Sequence, residues 1–216
     1  MDGVPGGWVL VRLEPGAVTW SVQPDAAAVL AATRDCLAVG VDIPLGLPAG
    51  AGRRACDEAT ARALGRARSS VFPAPPREVL VAPGHAEACA VARRLTGRAI
   101  SLQTFHIGPK ILEWDALPDR PAGVVEVHPE LAFRRLAPAV SFASKKTARG
   151  AGQRIAALAG WVSPTLALAD LRAGARLDDA LDALAACWSA ARFARGVATV
   201  LGPERDDRGR PMRVVV

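Results

Sequence analysis

Two runs of strand character, Trp8 to Leu13 and Val18 to Val22, are separated only by Glu14-Pro15-Gly16-Ala17, and this pairing constrains the chain more than any other feature. Such spacing predicts a tight β-hairpin, because Pro and Gly are the residues a short turn demands. Beyond it the pattern changes. An Ala-rich segment from about Asp25 to Arg34 reads as a helix with Asp25 as its N-cap. Cys36 to Ile43 is a continuous apolar run, short enough for a buried strand, with Asp42 near its close and Pro44 ending it. Val124 to His128 is a further strand, and Met212 to Val216 a short terminal one. Helical patterns fall at Arg53 to Arg66, Ala86 to Leu95, Glu130 to Leu136 and Gln153 to Leu158, and Gly108-Pro109-Lys110-Ile111 is read as opening another short helix. The longest runs from Asp178 to about Ala198, where Leu181, Leu184, Ala185, Trp188 and Ala191 form an apolar stripe. Ser69 to Pro76 is a proline-rich loop. A hairpin followed by alternating helices and strands predicts an α/β fold, a mixed sheet flanked by helices.

With 216 residues, half of them hydrophobic, the chain can bury one sizeable core. One domain spanning residues 1–216 is expected, with a largely helical insertion between later strands, at about 44–122. No apolar run approaches the roughly 20 residues that cross a bilayer, and no basic start with an apolar stretch and cleavage site opens the chain. A cytoplasmic protein without a membrane partner is the expectation. Cys36, Cys56, Cys89 and Cys187 form no C-x-x-C pair and read as buried free thiols. P-loop, nucleophile-elbow and H-E-x-x-H motifs are absent, which argues against a P-loop NTPase, an α/β-hydrolase and a zincin. The spacing of Gly3, Gly6 and Gly7 precedes a hairpin instead of a helix, so it is no dinucleotide fingerprint; a backbone turning close to a ligand is the reading.

The acids are more telling. Asp2 lies beside the first strand, Asp42 closes the next major one, Glu126 lies in the following strand with Glu130 just beyond, and Asp178, Asp179 and Asp182 open the last helix. Asp179 and Asp182, three apart, share a helix face at the start of the apolar stripe. Asp178 is read as the cap of that helix. An unpaired acid facing a core is costly. Mg²⁺ or Mn²⁺ removes the cost, since hard cations prefer carboxylate oxygens; an ion pair with an arginine would do so structurally.

Six runs carry a resemblance: Asp2-Gly3-Val4-Pro5-Gly6-Gly7-Trp8, Val41-Asp42-Ile43-Pro44-Leu45-Gly46-Leu47-Pro48, Ser69-Ser70-Val71-Phe72-Pro73-Ala74-Pro75, Glu126-Val127-His128-Pro129-Glu130, Ser144-Lys145-Lys146-Thr147 and Asp179-Ala180-Leu181-Asp182-Ala183-Leu184-Ala185. Together and in this order they resemble the family catalogued as domain of unknown function 429, described as a predicted nuclease of ribonuclease H-like fold. The resemblance covers nearly the whole chain. More distantly, Asp2-Gly3 and the D-x-x-D of the last helix resemble the catalytic acids of Holliday-junction resolvases. Carried over by position, these resemblances imply a ribonuclease H-like domain in which Asp2, Asp42 and Asp182 are metal ligands. Asp179 would be a supporting ligand or base, and Glu126 and His128 would join the catalytic set. Only Met1 precedes Asp2, where the family has several strand residues.

The chemistry implied is phosphodiester hydrolysis assisted by two ions, without a covalent nucleophile. A formal net charge of +6 favours an anionic partner. Lysine supplies only Lys110, Lys145 and Lys146 of 27 basic residues, so these positions either need a compact charge or persist by chance. Arg53, Arg54, Arg66, Arg68, Lys110, Lys145 and Lys146, with the hydroxyls of Ser69 and Ser70, are the candidate phosphate holders. Arg93, Arg94 and Arg98 are assigned to a solvated face. His128 is either a proton shuttle or ligand, or a strand-end histidine satisfied by a carboxylate; neither His85 nor His106 is expected to be catalytic. Aromatic residues are 5%, too sparse for an extensive base-stacking platform. The leading expectation is a metal-dependent nuclease or phosphodiesterase acting on nucleic acid. A nucleotide or phosphorylated-metabolite hydrolase and a non-catalytic nucleic-acid-binding module are the alternatives, separated from it by the number of acids, which a pure phosphate binder avoids.

Overall fold

A computed structural model describes residues 1–171 and 175–216. It is a mixed α/β structure whose chain divides into two compact units, Met1–Ile43 with Pro121–Thr199 and Val215–Val216, and Pro44–Arg120 with Val200–Val214. Among the described residues no helix is long and apolar enough to cross a membrane.

In the first unit, β1 (Asp2–Val4), β2 (Gly7–Glu14) and β3 (Ala17–Gln23) form an antiparallel sheet in that order. The Pro15-Gly16 turn sets the β2–β3 register, with Glu14 opposite Ala17. Pro5-Gly6 does the same between β1 and β2, where Val4 faces Gly7 and Gly6 takes φ +79°. The glycines read as a ligand-side turn are therefore accounted for by strand pairing. Helix α1 (Ala26–Ala32) is capped by Asp25, whose carboxylate accepts from the Ala28 N–H at 2.7 Å. Strand β4 (Val39–Val41) pairs in parallel with β5 (Val124–Val127), placing Val41 opposite Glu126. Met1 ties the first strand region to β4: its nitrogen donates to the Gly40 carbonyl at 2.9 Å and its carbonyl accepts from Asp42 N–H at 3.3 Å. The remaining helices of this unit are α6 (Pro129–Leu136), α7 (Ala148–Leu158), α8 (Pro164–Ala169) and α9 (Leu177–Ala194). Helix α9 packs on β1, β2, β4 and β5 through an alanine-rich buried face.

The second unit holds α2 (Ala55–Leu64), a 3₁₀ helix (Gly65–Ser70), α3 (Arg77–Leu80), α4 (His85–Thr96) and α5 (Leu102–Asp115). Strands β6 (Val200–Arg205) and β7 (Pro211–Val215) are neighbours, the last residue of β7 counting with the first unit. Helix α5 corrects the sequence reading: it starts six residues before Gly108 and runs through Pro109. Ser101 makes this start possible, its hydroxyl accepting from Thr104 N–H at 3.0 Å. Ion pairs knit the unit together: Asp115 receives Arg77 at 2.7 Å, Arg208 at 3.0 Å and Arg210 at 3.3 Å, and Arg77 also reaches Asp206 at 3.1 Å and Asp207 at 2.7 Å.

Candidate metal centre

The centre in the first unit is set by one close backbone approach. A Cβ on Gly40 would lie 2.3 Å from the Ala186 carbonyl oxygen and 3.1 Å from Val127, so only glycine lets α9 settle this close to β4. Gly40 thus faces α9, and Asp42, two residues on, lies on the same side of the strand about 6.6 Å further along. Asp182 precedes Ala186 by one helical turn, a rise of about 6 Å along α9 on the same face. The two steps match, and Asp42 and Asp182 meet. Asp2, at the start of β1, completes the group: one carboxylate oxygen from each of the three acids lies within 4.8 Å of the others. One Asp2 oxygen also accepts from the Gly3 N–H at 2.7 Å, which fixes its orientation.

Lys145 approaches the group from the segment between α6 and α7, and its ammonium donates to Asp182 Oδ2. That segment is stapled to α7. The Gln153 side chain accepts from Ala143 N–H at 2.7 Å and donates to the Ser141 carbonyl at 3.2 Å, and Arg154 donates to the Ala143 carbonyl at 2.9 Å. Arg154 is buried against the rings of Phe133 and Phe142, its guanidinium 5.3 Å from each centroid, and pairs with Glu130 at 2.5 Å. Thr147 caps α7 immediately after the lysines. Glu130 and Thr147 fall in runs that the sequence singles out, whereas Gln153 and Arg154 carry no signal there beyond a helical pattern.

Electrostatics of the group are those of crowded acids. Burial, then the neighbouring charge of Asp182, pushes the Asp2 carboxyl up to about 7. Burial pushes Asp42 well above the usual carboxylate range, with Asp2 and Asp182 adding to the shift. Asp182 rises to about 6 through burial, against the opposing pull of Lys145. The Lys145 ammonium is itself held above its ordinary value: burial, the largest single effect, works against this, and the charge and hydrogen bond of Asp182 together with the charges of Asp42 and Asp2 outweigh it. Lys145 acts on all three acids, whereas burial lowers the pKa of the Met1 amine and so disfavours the positive charge it would bring to them. The second oxygen of Asp182, Oδ1, is buried and accepts no hydrogen bond from any described residue.

Other sequence-predicted residues fall elsewhere. Asp179 sits in the first turn of α9 and accepts from the Arg176 N–H at 3.3 Å, so it closes the helix start. Burial raises its carboxyl above the ordinary value. The helix cap is Arg176, not Asp178, which lies inside the first turn. Glu126 does not join the three aspartates. Val125 and Val127 pack with Ala186 of α9, and strand alternation turns the buried Glu126 to the opposite face of β5. His128 is the residue before α6, its carbonyl accepting from Leu131 and Ala132 at 3.0 Å. Lys146, next to Lys145, is exposed.

Arg53, Arg66, Arg68, Ser69, Ser70 and Lys110 all belong to the second unit. Arg66 and Ser69 are exposed on the 3₁₀ helix, while the Ser70 hydroxyl donates to the Ala67 carbonyl at 2.8 Å and is spent on its own turn. Lys110 lies on α5. Arg53 and Arg68 line a cavity within that unit.

No curated protein and no solved structure matches this chain. The family model described as "Protein of unknown function (DUF429)" matches residues 1–207, and the chain belongs to that family.

Proposed function

We propose that the protein is a Mg²⁺- or Mn²⁺-dependent phosphodiesterase of nuclease type, with Asp2, Asp42 and Asp182 as the metal ligands. The observation that carries this reading is three carboxylates converging within 4.8 Å while a buried oxygen of Asp182 has no hydrogen-bond partner among the described residues. An all-carboxylate donor set suits a hard divalent cation, and thiolate or imidazole takes no part in it. The fit is also electrostatic: burial and mutual repulsion raise the carboxyls toward neutral pH, and a divalent charge reverses that shift.

When bound, such an ion supplies Lewis-acid stabilisation of phosphoryl oxygens and lowers the pKa of water. The chain's own groups do the rest. The three aspartates fix position, because each comes from a different rigid element and the Gly40–Ala186 approach locks two of those elements together. Lys145 offsets part of their charge and provides a point cation that can hold a phosphate oxygen beside the carboxylates. The ribonuclease H-like fold belongs to the same reading, supported by the initial hairpin, the parallel β4–β5 pair and the acid-bearing helix packed on them.

The test is a panel of single-stranded, duplex, branched and hybrid nucleic acids, with nucleotides alongside, assayed with Mg²⁺ or Mn²⁺. Cleavage of at least one nucleic-acid class that EDTA abolishes and Asp182→Asn removes is the expected result. Metal-independent activity, or none on any substrate, overturns the proposal.

A further inference from the structure

The second unit contains a cavity of about 460 Å³, within the range of small-molecule sites. Its walls are formed by α2, the 3₁₀ helix, the segment Val71–Pro76, and the stretch from the end of α4 to the start of α5. The proline-rich segment cannot fold onto a strand ladder, since Pro73, Pro75 and Pro76 lack the donor. It is anchored instead by the Ala74 N–H, which donates to Asp57 at 3.0 Å. Asp57 is in turn paired with the buried Arg54 at 3.5 Å, and Arg54 donates to Cys56 Sγ at 3.0 Å. Two of the charged groups in the lining are therefore consumed in holding the wall.

Three other arginines in the lining are not consumed. The side chains of Arg53, Arg68 and Arg98 are exposed and make no ion pair with any described residue. Glu58, also in the lining, faces Arg62 on its own helix at 3.9 Å. Between the arginines the surface is apolar, with Phe72, Ile100, Ala92 and Pro75 in it, and the Phe72 ring is only half-buried. Arg98, assigned from sequence to a solvated face, belongs to this cavity. Val71 to Pro75, from the run singled out in the sequence and unused by the metal centre, shapes its wall.

We infer that this cavity is a binding site for a small amphipathic anion, a phosphate or carboxylate joined to a flat apolar body. Unpaired guanidinium groups on the lining recognise the anionic head, and their planar forks match either oxyanion. The apolar wall and the Phe72 ring receive the body, which inorganic phosphate lacks and an uncharged nucleoside supplies without the head. This inference does not rest on the metal-centre reading.

Titration calorimetry on the full chain in EDTA separates the cases, using adenosine 5′-monophosphate, indole-3-acetate, adenosine and inorganic phosphate as probes. Saturable binding of the nucleotide or of the indole carboxylate below about 1 mM is expected, with adenosine and phosphate at least roughly tenfold weaker. Adenosine-5′-carboxylic acid, which keeps the nucleoside and replaces the phosphate by a carboxylate, identifies the head group. Arg68→Gln combined with Arg98→Gln should weaken binding by about tenfold or more and flatten its salt dependence. These side chains are exposed, so unchanged thermal melts are expected for the double variant. Phe72→Ala should weaken the amphipathic probe and leave inorganic phosphate unchanged. Saturation by neither amphipathic anion, equal binding of inorganic phosphate, or binding indifferent to all three substitutions overturns the inference. Asp182→Asn should bind like the wild type, so failure of the metal proposal leaves this result standing.

Discussion

Aspartates gather in both units, with opposite consequences. In the second unit, Asp115 and Asp206 meet Arg77, Arg208 and Arg210, each within 4.0 Å of one of the two acids. The Asp206 carboxylate additionally accepts from the backbone of Arg208 at 2.9 Å and Arg210 at 2.8 Å. Every charge there has a counter-charge, and the result is a staple between α3, the end of α5 and the β6–β7 turn. In the first unit Asp2, Asp42 and Asp182 gather around one lysine, with a buried oxygen left over. Acid clustering alone therefore separates nothing. The informative quantity is the charge that the protein leaves uncompensated, and the two groups should respond to substitution and metal in opposite senses.

The largest contrast is expected from matched amide substitutions. Asp182→Asn should reduce metal-dependent activity by a factor on the order of 10² or more, because an amide oxygen is a poorer ligand for a hard cation. The metal-free protein should melt at the same temperature or higher, since one of three crowded charges is gone. Asp115→Asn should do the reverse, costing about 2–3 kcal/mol by stranding partly buried arginines while activity per folded molecule stays near wild type. Thermal melts and single-substrate rates on both variants check this; a destabilised Asp182→Asn with full activity would make the first cluster structural.

Gly40→Ala sharpens the geometric half of the comparison. Its methyl group would meet the Ala186 carbonyl at 2.3 Å, so α9 must retreat from β4 and carry Asp182 away from Asp42. A loss of about 1–3 kcal/mol is expected, together with a metal-dependent melting gain well below that of wild type. A variant that melts lower yet gains as much from Mg²⁺ would separate the helix contact from the site.

A gentler effect of pH is expected at the three aspartates of the first unit. The folded-state carboxyls of Asp2 and Asp182 are raised to about 7 and about 6 from an ordinary 3.8. Between these values the metal-free native state holds protons that the unfolded chain has released. Its stability should therefore fall as pH climbs from about 4 through 7. Metal competes with those protons, so affinity for Mn²⁺ should rise across the same window, with proton release on binding. Calorimetry in buffers of different ionisation enthalpy reads both quantities, and an affinity flat from pH 5.5 to 8 would contradict the assignment.

The smallest effect belongs to Lys145→Gln. Lys145 is partly exposed, which discounts its pair with Asp182, so the metal-free protein should lose about 1 kcal/mol or less. Added Mg²⁺ should restore this, giving the variant a larger melting gain than wild type. Equal gains would place Lys145 outside the metal's field.

What the sequence made legible follows from range. The β2–β3 hairpin was readable because its turn chemistry is local, and the α9 stripe because one long helix repeats its period. Strand β6 was missed, since Leu201-Gly202-Pro203-Glu204-Arg205 carries loop residues and becomes a strand only beside β7. Pro109 suggested a helix start where the cap at Ser101 overrides it. Placement of acids at strand ends and one turn into a core-facing helix suggested a cluster, and it was the family resemblance that implied Asp2, Asp42 and Asp182 as the set. Turning Glu126 away required knowing which face of β5 packs on α9, and a four-residue buried strand with apolar residues on both sides does not reveal that. The rarity of lysine pointed equally to Lys110, Lys145 and Lys146 and could not single out Lys145, whose scaffold of Gln153, Arg154 and Glu130 depends on contacts between helices that no local pattern encodes.

The claim that a divalent ion is held by these three aspartates is tested most directly by locating the ion. Crystals of the full chain soaked in Mn²⁺, and measured near the manganese absorption edge, should give an anomalous-difference peak among the Asp2, Asp42 and Asp182 carboxylates, with oxygen distances of about 2.1–2.3 Å. The same soak of Asp182→Asn should give a weak peak or none. Strong manganese density elsewhere with none among the three carboxylates, or a peak undiminished in the variant, would contradict the account.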